Sequence, residues 1–243
     1  MHAGEAPGSG PGRLSIVSTP IGNLEDLSPR AAACLGDAHL IACEDTRHSG
    51  VLLRAKGIDT PRLSLHQHNE ASRTEQLLAK LADGQHIAYI SDAGTPLVSD
   101  PGARLVHAVA SAGFEVEVIP GPSAVTAALA GSGFPADRFY FGGFLSTKKG
   151  ARRRELEDAL ARTETCAFFD SPHRIASTLE ILAELAPDRP AVVGRELTKK
   201  FEEFRRGTCA ELLDSFGQRP AKGEIVLVIS GSKPPKWMSP AGA

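Results

Sequence analysis

Through the first half of the chain, short apolar runs alternate with stretches whose apolar positions recur at helical spacing. Residues 14–18, 39–43, 62–66, 86–90 and 115–119 are apolar runs bounded by turn residues, and each reads as a strand. Ser28 suits a helix cap and Pro29 a first helical turn. Val51, Leu52 and Ala55 form the predicted stripe of a second helix, stopped by Gly57. Residues 71–82 predict a third, with Leu77, Leu78 and Leu81 inward, ending near Gly84. Residues 103–112 predict a fourth, with Leu105, Val106 and Val109 inward and Pro101 in its first turn. Ser123 would cap an apolar helix over 124–130. This alternation predicts a mainly parallel α/β sheet.

The pattern changes after Gly131-Ser132-Gly133. Strands are predicted at 138–141 and 165–169, with a flexible basic loop at 142–150 and a charged helix at 151–161 between them. Ser171-Pro172 would cap a helix running to about Leu185. Further strands at 191–196, 201–207 and 224–230 crowd around one short helix at 209–216, which predicts a mixed sheet. The expectation is two α/β domains, 14–121 and 122–231, hinged near 120–135, with tails at 1–13 and 232–243.

Three loops leave the ends of strands with Gly/Pro punctuation: 19–23, 92–96 and 120–123. In a parallel sheet all three fall on one edge, where open α/β sheets bind ligands. The longest, 91–102, carries Gly94, which admits close backbone approach, and Pro96 and Pro101, which stiffen it. Gly8-x-Gly10-x-Gly12 precedes the first strand and so lacks the context of a dinucleotide motif, and no P-loop occurs.

Composition narrows the class. The chain has 243 residues, 42% of them hydrophobic and 23% charged, with a formal net charge of −2 at pH 7. Those values fit an ordinary soluble globular protein with enough chain for a sizeable core. No apolar run approaches the ~20 residues of a membrane span, and the N-terminus lacks the basic and apolar regions of a secretion signal. The four cysteines lie far apart with no C-x-x-C, consistent with a reducing cytoplasm. No metal site is expected, because His66-x-His68 finds no third ligand nearby.

Glu44-Asp45-Thr46-Arg47 follows a strand and has two readings. It is a helix start with acidic residues at the N-terminus, or a substrate-facing cluster in which a carboxylate accepts a proton. Lys148, Lys149, Arg152, Arg153 and Arg154 form one basic run; Lys199, Lys200, Arg205 and Arg206 form another, diluted by Glu202 and Glu203. Each is a solvated face or a phosphate-binding surface. His173-Arg174 begins a surface helix or binds phosphate.

Seven blocks in order carry a resemblance: S-T-P-I-G-N (18–23), E-D-T-R-H-S (44–49), S-D-A-G-T-P-L-V-S-D-P-G (91–102), P-G-P-S-A (120–124), D-S-P-H-R (170–174), R-E-L-T-K-K-F-E-E (195–203) and K-G-E-I-V-L-V-I (222–229). Over about residues 14–231 the chain resembles the 16S ribosomal RNA 2′-O-ribose methyltransferases, which have the two-domain tetrapyrrole-methylase fold. Some members carry an extra C-terminal helical segment where this chain has a Pro-rich tail. The resemblance implies S-adenosylmethionine in an interdomain cleft, near Ile21, Ala93, Gly94, Thr95, Val98, Ser123, Ala124 and Asp170. It implies a cytoplasmic homodimer acting on a decoding-centre cytidine of 16S rRNA. In that reading Glu44 is the candidate base. Arg47, Lys148, Lys149, Arg152, Arg153, His173, Arg174, Lys199 and Lys200 are the candidate RNA contacts. The alternatives are a same-fold methylase of a small tetrapyrrole and a non-enzymatic cofactor-sensing module.

Overall fold

The computed structural model describes residues 12–217 and 222–233. Most of both predicted tails, including Trp237, lies outside them. By its contacts the chain divides into two compact units, Met1–Ser123 and Ala124–Ala243.

The first unit is a parallel sheet of β1 (Arg13–Val17), β2 (Leu40–Cys43), β3 (Arg62–Ser64), β4 (His86–Ile90) and β5 (Glu115–Ile119), ordered β3-β2-β4-β1-β5. β1 starts at Arg13, one residue earlier than predicted. Helices cover both faces, as parallel sheets require. On one face α1 (Pro29–Asp37) and α2 (Thr46–Ala55) bury Leu35 and Leu53 against Val17, Ile41, Ala88 and Ile90. On the other, α3 (Glu70–Ala82) and α4 (Ala103–Ser111) bury Leu77, Leu81, Leu105 and Val109 against Leu14, Ile16, Ile87 and Tyr89. Alternate residues of β1 and β4 thus serve opposite cores.

Two local expectations are corrected. The inward face of α2 is Ser49, Gly50 and Leu53, while Val51 is 58% exposed and Ala55 is exposed. Leu52 of the predicted stripe does pack, partly buried, against the core, but tertiary packing turns Val51 and Ala55 to solvent. Pro101 stops short of the helix: α4 begins after Gly102, whose φ of 116° no L side chain adopts readily. Glu70 of α3 supplies the cap instead, accepting from the Gly102 and Arg104 N–H groups at 3.1 Å each.

The second unit is a mixed sheet, β6 (Phe139–Phe144), β7 (Thr165–Asp170), β8 (Pro190–Arg195), β9 (Glu203–Thr208) and β10 (Ile225–Ile229), in the order β6-β7-β10-β8-β9. β6 and β7 are parallel and the other neighbours antiparallel. Helices α6 (Lys149–Ala161), α7 (Ile175–Leu185) and α8 (Cys209–Gly217) pack Leu156, Leu179, Leu182 and Leu212 onto Ile225, Leu227 and Ile229. Val226 and Val228 are buried on the opposite face, where α5 (Ala124–Ser132) packs. The predicted loop 142–150 is mostly ordered structure: β6 runs through a register shift to Phe144, and α6 already begins at Lys149. Ser171 is not the cap of α7, which starts at Ile175 after a turn; its hydroxyl accepts from His173 N–H within that turn.

Among the described residues no helix is long and apolar enough to cross a membrane.

Candidate active site

All strands of the first sheet are parallel, so their carboxyl ends share one edge. β1 and β4 are neighbours whose following helices lie on opposite faces, since α1 packs on one core and α4 on the other. That reversal is the topological switch point, where open α/β sheets bind ligands.

The loops after β1, β4 and β5 are joined there by backbone and hydroxyl groups. Thr19 and Gly94 form an antiparallel bridge, Thr19 N–H to Gly94 O at 2.9 Å and Gly94 N–H to Thr19 O at 3.0 Å. The Thr95 hydroxyl donates to Pro122 O at 3.2 Å, and the Ser18 hydroxyl donates to Thr95 at 3.3 Å. Gly94 has φ 79°, and a Cβ there would lie 3.2 Å from Ile21 Cγ2. Leu97 and Ser99 also have positive φ, 72° and 65°. Strain of this kind persists only where the surroundings over-determine it. Here Tyr89 buttresses the loop, its hydroxyl donating to Pro101 O at 2.7 Å.

The next strand end carries carboxylates, and the structure divides the Glu44–Arg47 motif between its two readings. Asp45 caps α2, accepting from Arg47 N–H at 2.7 Å, and these backbone bonds hold its carboxyl below the usual range. Glu44 is half-buried. Burial first, then the charges of Asp92, Asp100 and Asp45, push its carboxyl up. Asp100 is raised too, mainly by burial. Asp92 is tied to the motif through Asp45 N–H at 3.2 Å. The sequence signal for this cluster was present in the two aspartates bracketing the 91–102 block, but only the sheet order brings them to Glu44. Ser18 and Glu70 were likewise missed as supports of the site.

The predicted cofactor residues divide by unit. Ile21, Ala93, Gly94, Thr95 and Val98 lie in the joined loops, with Ile21 buried and Ala93 and Val98 exposed. Ser123 and Ala124 sit where one unit ends and the next begins. Asp170 belongs to the second unit and is engaged by its own helix: it accepts from Thr178 Oγ1 and Ser171 N–H at 2.7 Å each and pairs with Arg174 at 3.4 Å. The loops fit S-adenosylmethionine chemically. Loops 19–23, 91–102 and 120–124 contain no Lys or Arg to oppose a sulfonium, and the buried Thr19 hydroxyl oxygen lacks a partner.

Three of the candidate RNA residues are corrected, because the protein itself engages them. Arg152 is only 4% exposed; its guanidinium donates to Ser146 O at 3.1 Å and Ser177 Oγ at 2.9 Å, clamping α6 to α7. Arg153 is paired with Glu184. Lys199 is held between Glu196 at 2.9 Å and Glu224 at 3.0 Å. Arg153 and Lys199 are thus neutralised by carboxylates distant in sequence, Glu184 and Glu224, while Arg152 is buried against neutral hydrogen-bond acceptors. Arg47, Lys148, Lys149, His173 and Lys200 are exposed. Burial pushes the Cys166 and Cys209 thiols up to about 11, which leaves neither a nucleophile near neutral pH. Among the described residues no cluster of His, Cys, Asp and Glu is suited to a metal ion.

Residues 13–213 match the family model of Tetrapyrrole (Corrin/Porphyrin) Methylases. The chain is 48% identical over 224 residues to the Ribosomal RNA small subunit methyltransferase I of Synechocystis sp., covering 92% of this chain and 80% of that one. It is 44% identical over 222 residues to the protein of the same name from Thermotoga maritima, covering 91% and 100%. Among solved structures it is similar to uroporphyrin-III-C-methyltransferase from Thermus thermophilus, with TM-score 0.64, 23% identity and coverage of 90% and 94%. It is also similar to diphthine synthase, with TM-score 0.67, 14% identity and coverage of 90% and 90%; at those identities the likeness concerns the fold. With one family spanning nearly all described residues, and a loop cradle at the switch point of the same fold, the chain belongs to the tetrapyrrole methylases and is a methyltransferase.

Proposed function

We propose that the enzyme transfers a methyl group from S-adenosylmethionine to the ribose 2′-hydroxyl of a decoding-centre cytidine in 16S rRNA. The observation that carries this reading is the identity of 44–48% with small-subunit rRNA methyltransferases over nine-tenths of the chain. The tetrapyrrole enzyme above shares only 23%. Cytoplasmic location and a homodimeric state belong to the same proposal.

Bound at these loops, S-adenosylmethionine would supply an electrophilic methyl carbon to the 2′-oxygen, with the sulfur as leaving group taking the bonding electron pair. The protein's own contribution is alignment, with entropy lost on binding rather than in the reaction. The Thr19–Gly94 bridge and Thr95 hold the cofactor-facing backbone rigid. Glu44 takes the 2′-hydroxyl proton. Its raised carboxyl makes it a better base than a fully solvated glutamate. Exposed Lys148 and Lys149 meet RNA phosphate.

The test is transfer of labelled methyl into purified 30S subunits, followed by mapping of the label. Subunits reconstituted with 2′-deoxyribose at the labelled nucleotide should accept none. Label entering the deoxy nucleotide would place the acceptor on the base and overturn the ribose reading.

A further inference from the structure

Among the described residues four non-glycine residues have positive φ. Two, Leu97 and Ser99, lie in the candidate cofactor loop. The other two, Glu196 at 50° and Thr198 at 65°, lie in the hairpin loop between β8 and β9, away from the candidate cofactor loops. This second strained loop is heavily braced. Glu196 N–H donates to Glu224 O at 3.0 Å, and Glu224 N–H donates to the Glu196 carboxylate at 2.9 Å. Lys199 bridges those two glutamates. Glu202 accepts from Thr198 N–H at 2.6 Å, and successive turns close Lys199 N–H on Glu196 O and Glu202 N–H on Lys199 O, at 3.0 Å each. Leu197 is buried beneath.

What this frame holds up is Lys200-Phe201. Phe201 is 64% exposed, the most of any large hydrophobic among the described residues, and the Lys200 ammonium lies 5.6 Å from its ring centroid. Lys200 has no ion-pair partner among the described residues, because the acids around it are already used by Lys199 and the loop backbone. A single exposed phenylalanine is ordinary on a protein surface. One presented by a strained, braced loop beside an unpaired cation has the form of a stacking platform, with a ring face for a base and a charge for its phosphate.

We infer that Phe201 stacks on an unpaired base of the RNA substrate, with Lys200 on the adjoining phosphate. The inference rests on the rRNA reading above and names a recognition element for it. A rigid loop suits this role because little entropy is lost on binding. Stacking also tolerates any base, so the contact adds affinity and position while leaving sequence choice to other groups.

The experiment measures binding of the full chain to purified 30S subunits across a salt series, alongside methylation. Phe201→Ala should weaken binding about 5- to 150-fold, the range that base–aromatic stacking gives on alanine substitution. Phe201→Trp should keep wild-type affinity, and Phe201→Leu should resemble the alanine variant, because an aliphatic side chain is apolar but cannot stack. The salt slope should be unchanged in all three and should fall by about one in Lys200→Gln. Affinity for S-adenosylmethionine should not move. Unchanged subunit binding by Phe201→Ala, while the wild type methylates 30S subunits, overturns this inference alone. Restored binding by Phe201→Leu also overturns it; a shift of Phe201→Ala toward monomer in sedimentation would then assign the ring to a contact between two copies. A wild-type enzyme that neither binds nor methylates 30S subunits overturns the rRNA reading, and this inference with it.

Discussion

Arg152 separates the linear reading of the basic run from the tertiary one. As a phosphate contact it would be expendable to folding; as a clamp it would not. Replacing it with alanine removes two hydrogen bonds from a charged donor, to Ser146 O and Ser177 Oγ. At ~1.5–3 kcal/mol each, the gross loss is roughly 3–6 kcal/mol. Part of that is recovered, because the buried guanidinium is costly in itself: its Nε finds no partner, and no carboxylate pairs with it among the described residues. The net expectation is a loss of roughly 2–4 kcal/mol. In urea, where the slope is about 1–3 kcal/mol per molar, the midpoint should fall by about 1 M or more. Arg152→Met fills the space and removes the unmatched charge, so it should lose less. The salt slope of 30S binding should stay at the wild-type value for both variants. Lys149→Ala should do the reverse, leaving the midpoint in place and lowering the slope by about one. An Arg152→Ala protein with an unshifted midpoint and a reduced slope would refute the clamp and return the residue to the RNA surface.

Gly94→Ala forces a side chain into left-handed backbone beside Ile21; it should cost about 1–2 kcal/mol of stability and weaken S-adenosylmethionine binding, read by urea unfolding and calorimetry, and unchanged cofactor affinity would remove Gly94 from the site. Glu44→Gln should lower methyl transfer by roughly 10²–10⁴-fold with cofactor binding retained. The wild-type rate should rise with pH through the raised Glu44 carboxyl, and Asp100→Asn should move that limb to lower pH by removing one of the charges that raise it. A pH–rate profile indifferent to both changes would exclude Glu44 as the base. His86 is buried in a hydrogen-bonded chain: Ser15 lies 2.9 Å from its Nε2 and donates to Glu117 at 2.9 Å, while Arg13 lies 3.4 Å from its Nδ1. Burial first, then the Arg13 charge, hold its imidazole below the ordinary value; Cys34 also contacts the ring, His39 Nδ1 accepts from the His86 backbone N–H, and Glu117 and the Asp37 backbone oppose the shift. The unfolded chain therefore takes up the proton first. This stabilisation is complete above about pH 6.5 and lost as pH falls through the lower folded value, so the stability gap between wild type and His86→Gln should shrink on acidification, and a constant gap would contradict it.

The sequence by itself determined the order of elements, because apolar periodicity and Gly/Pro punctuation are local. β5 matches its predicted bounds, and Ser28 caps α1 by accepting from Ala31 N–H at 3.1 Å. It also fixed that the Gly/Pro loops share one edge, since alternating strands and helices make a parallel sheet and a parallel sheet has one carboxyl edge. The family blocks carried the methyltransferase assignment. What only the tertiary structure decided is which charges are free. Arg152, Arg153 and Lys199 read as basic residues in a run, yet Ser177, Glu184 and Glu224 reach them from 25 or more residues away. The same holds for Glu44, raised first by burial and then by Asp92 and Asp100 across a strand order that no local pattern specifies. A charge's chemistry depends on its desolvation and its neighbours in space. Periodicity reports the backbone of a segment and which of its faces is apolar, so the partner that neutralises or raises a group enters only when the chain closes on itself.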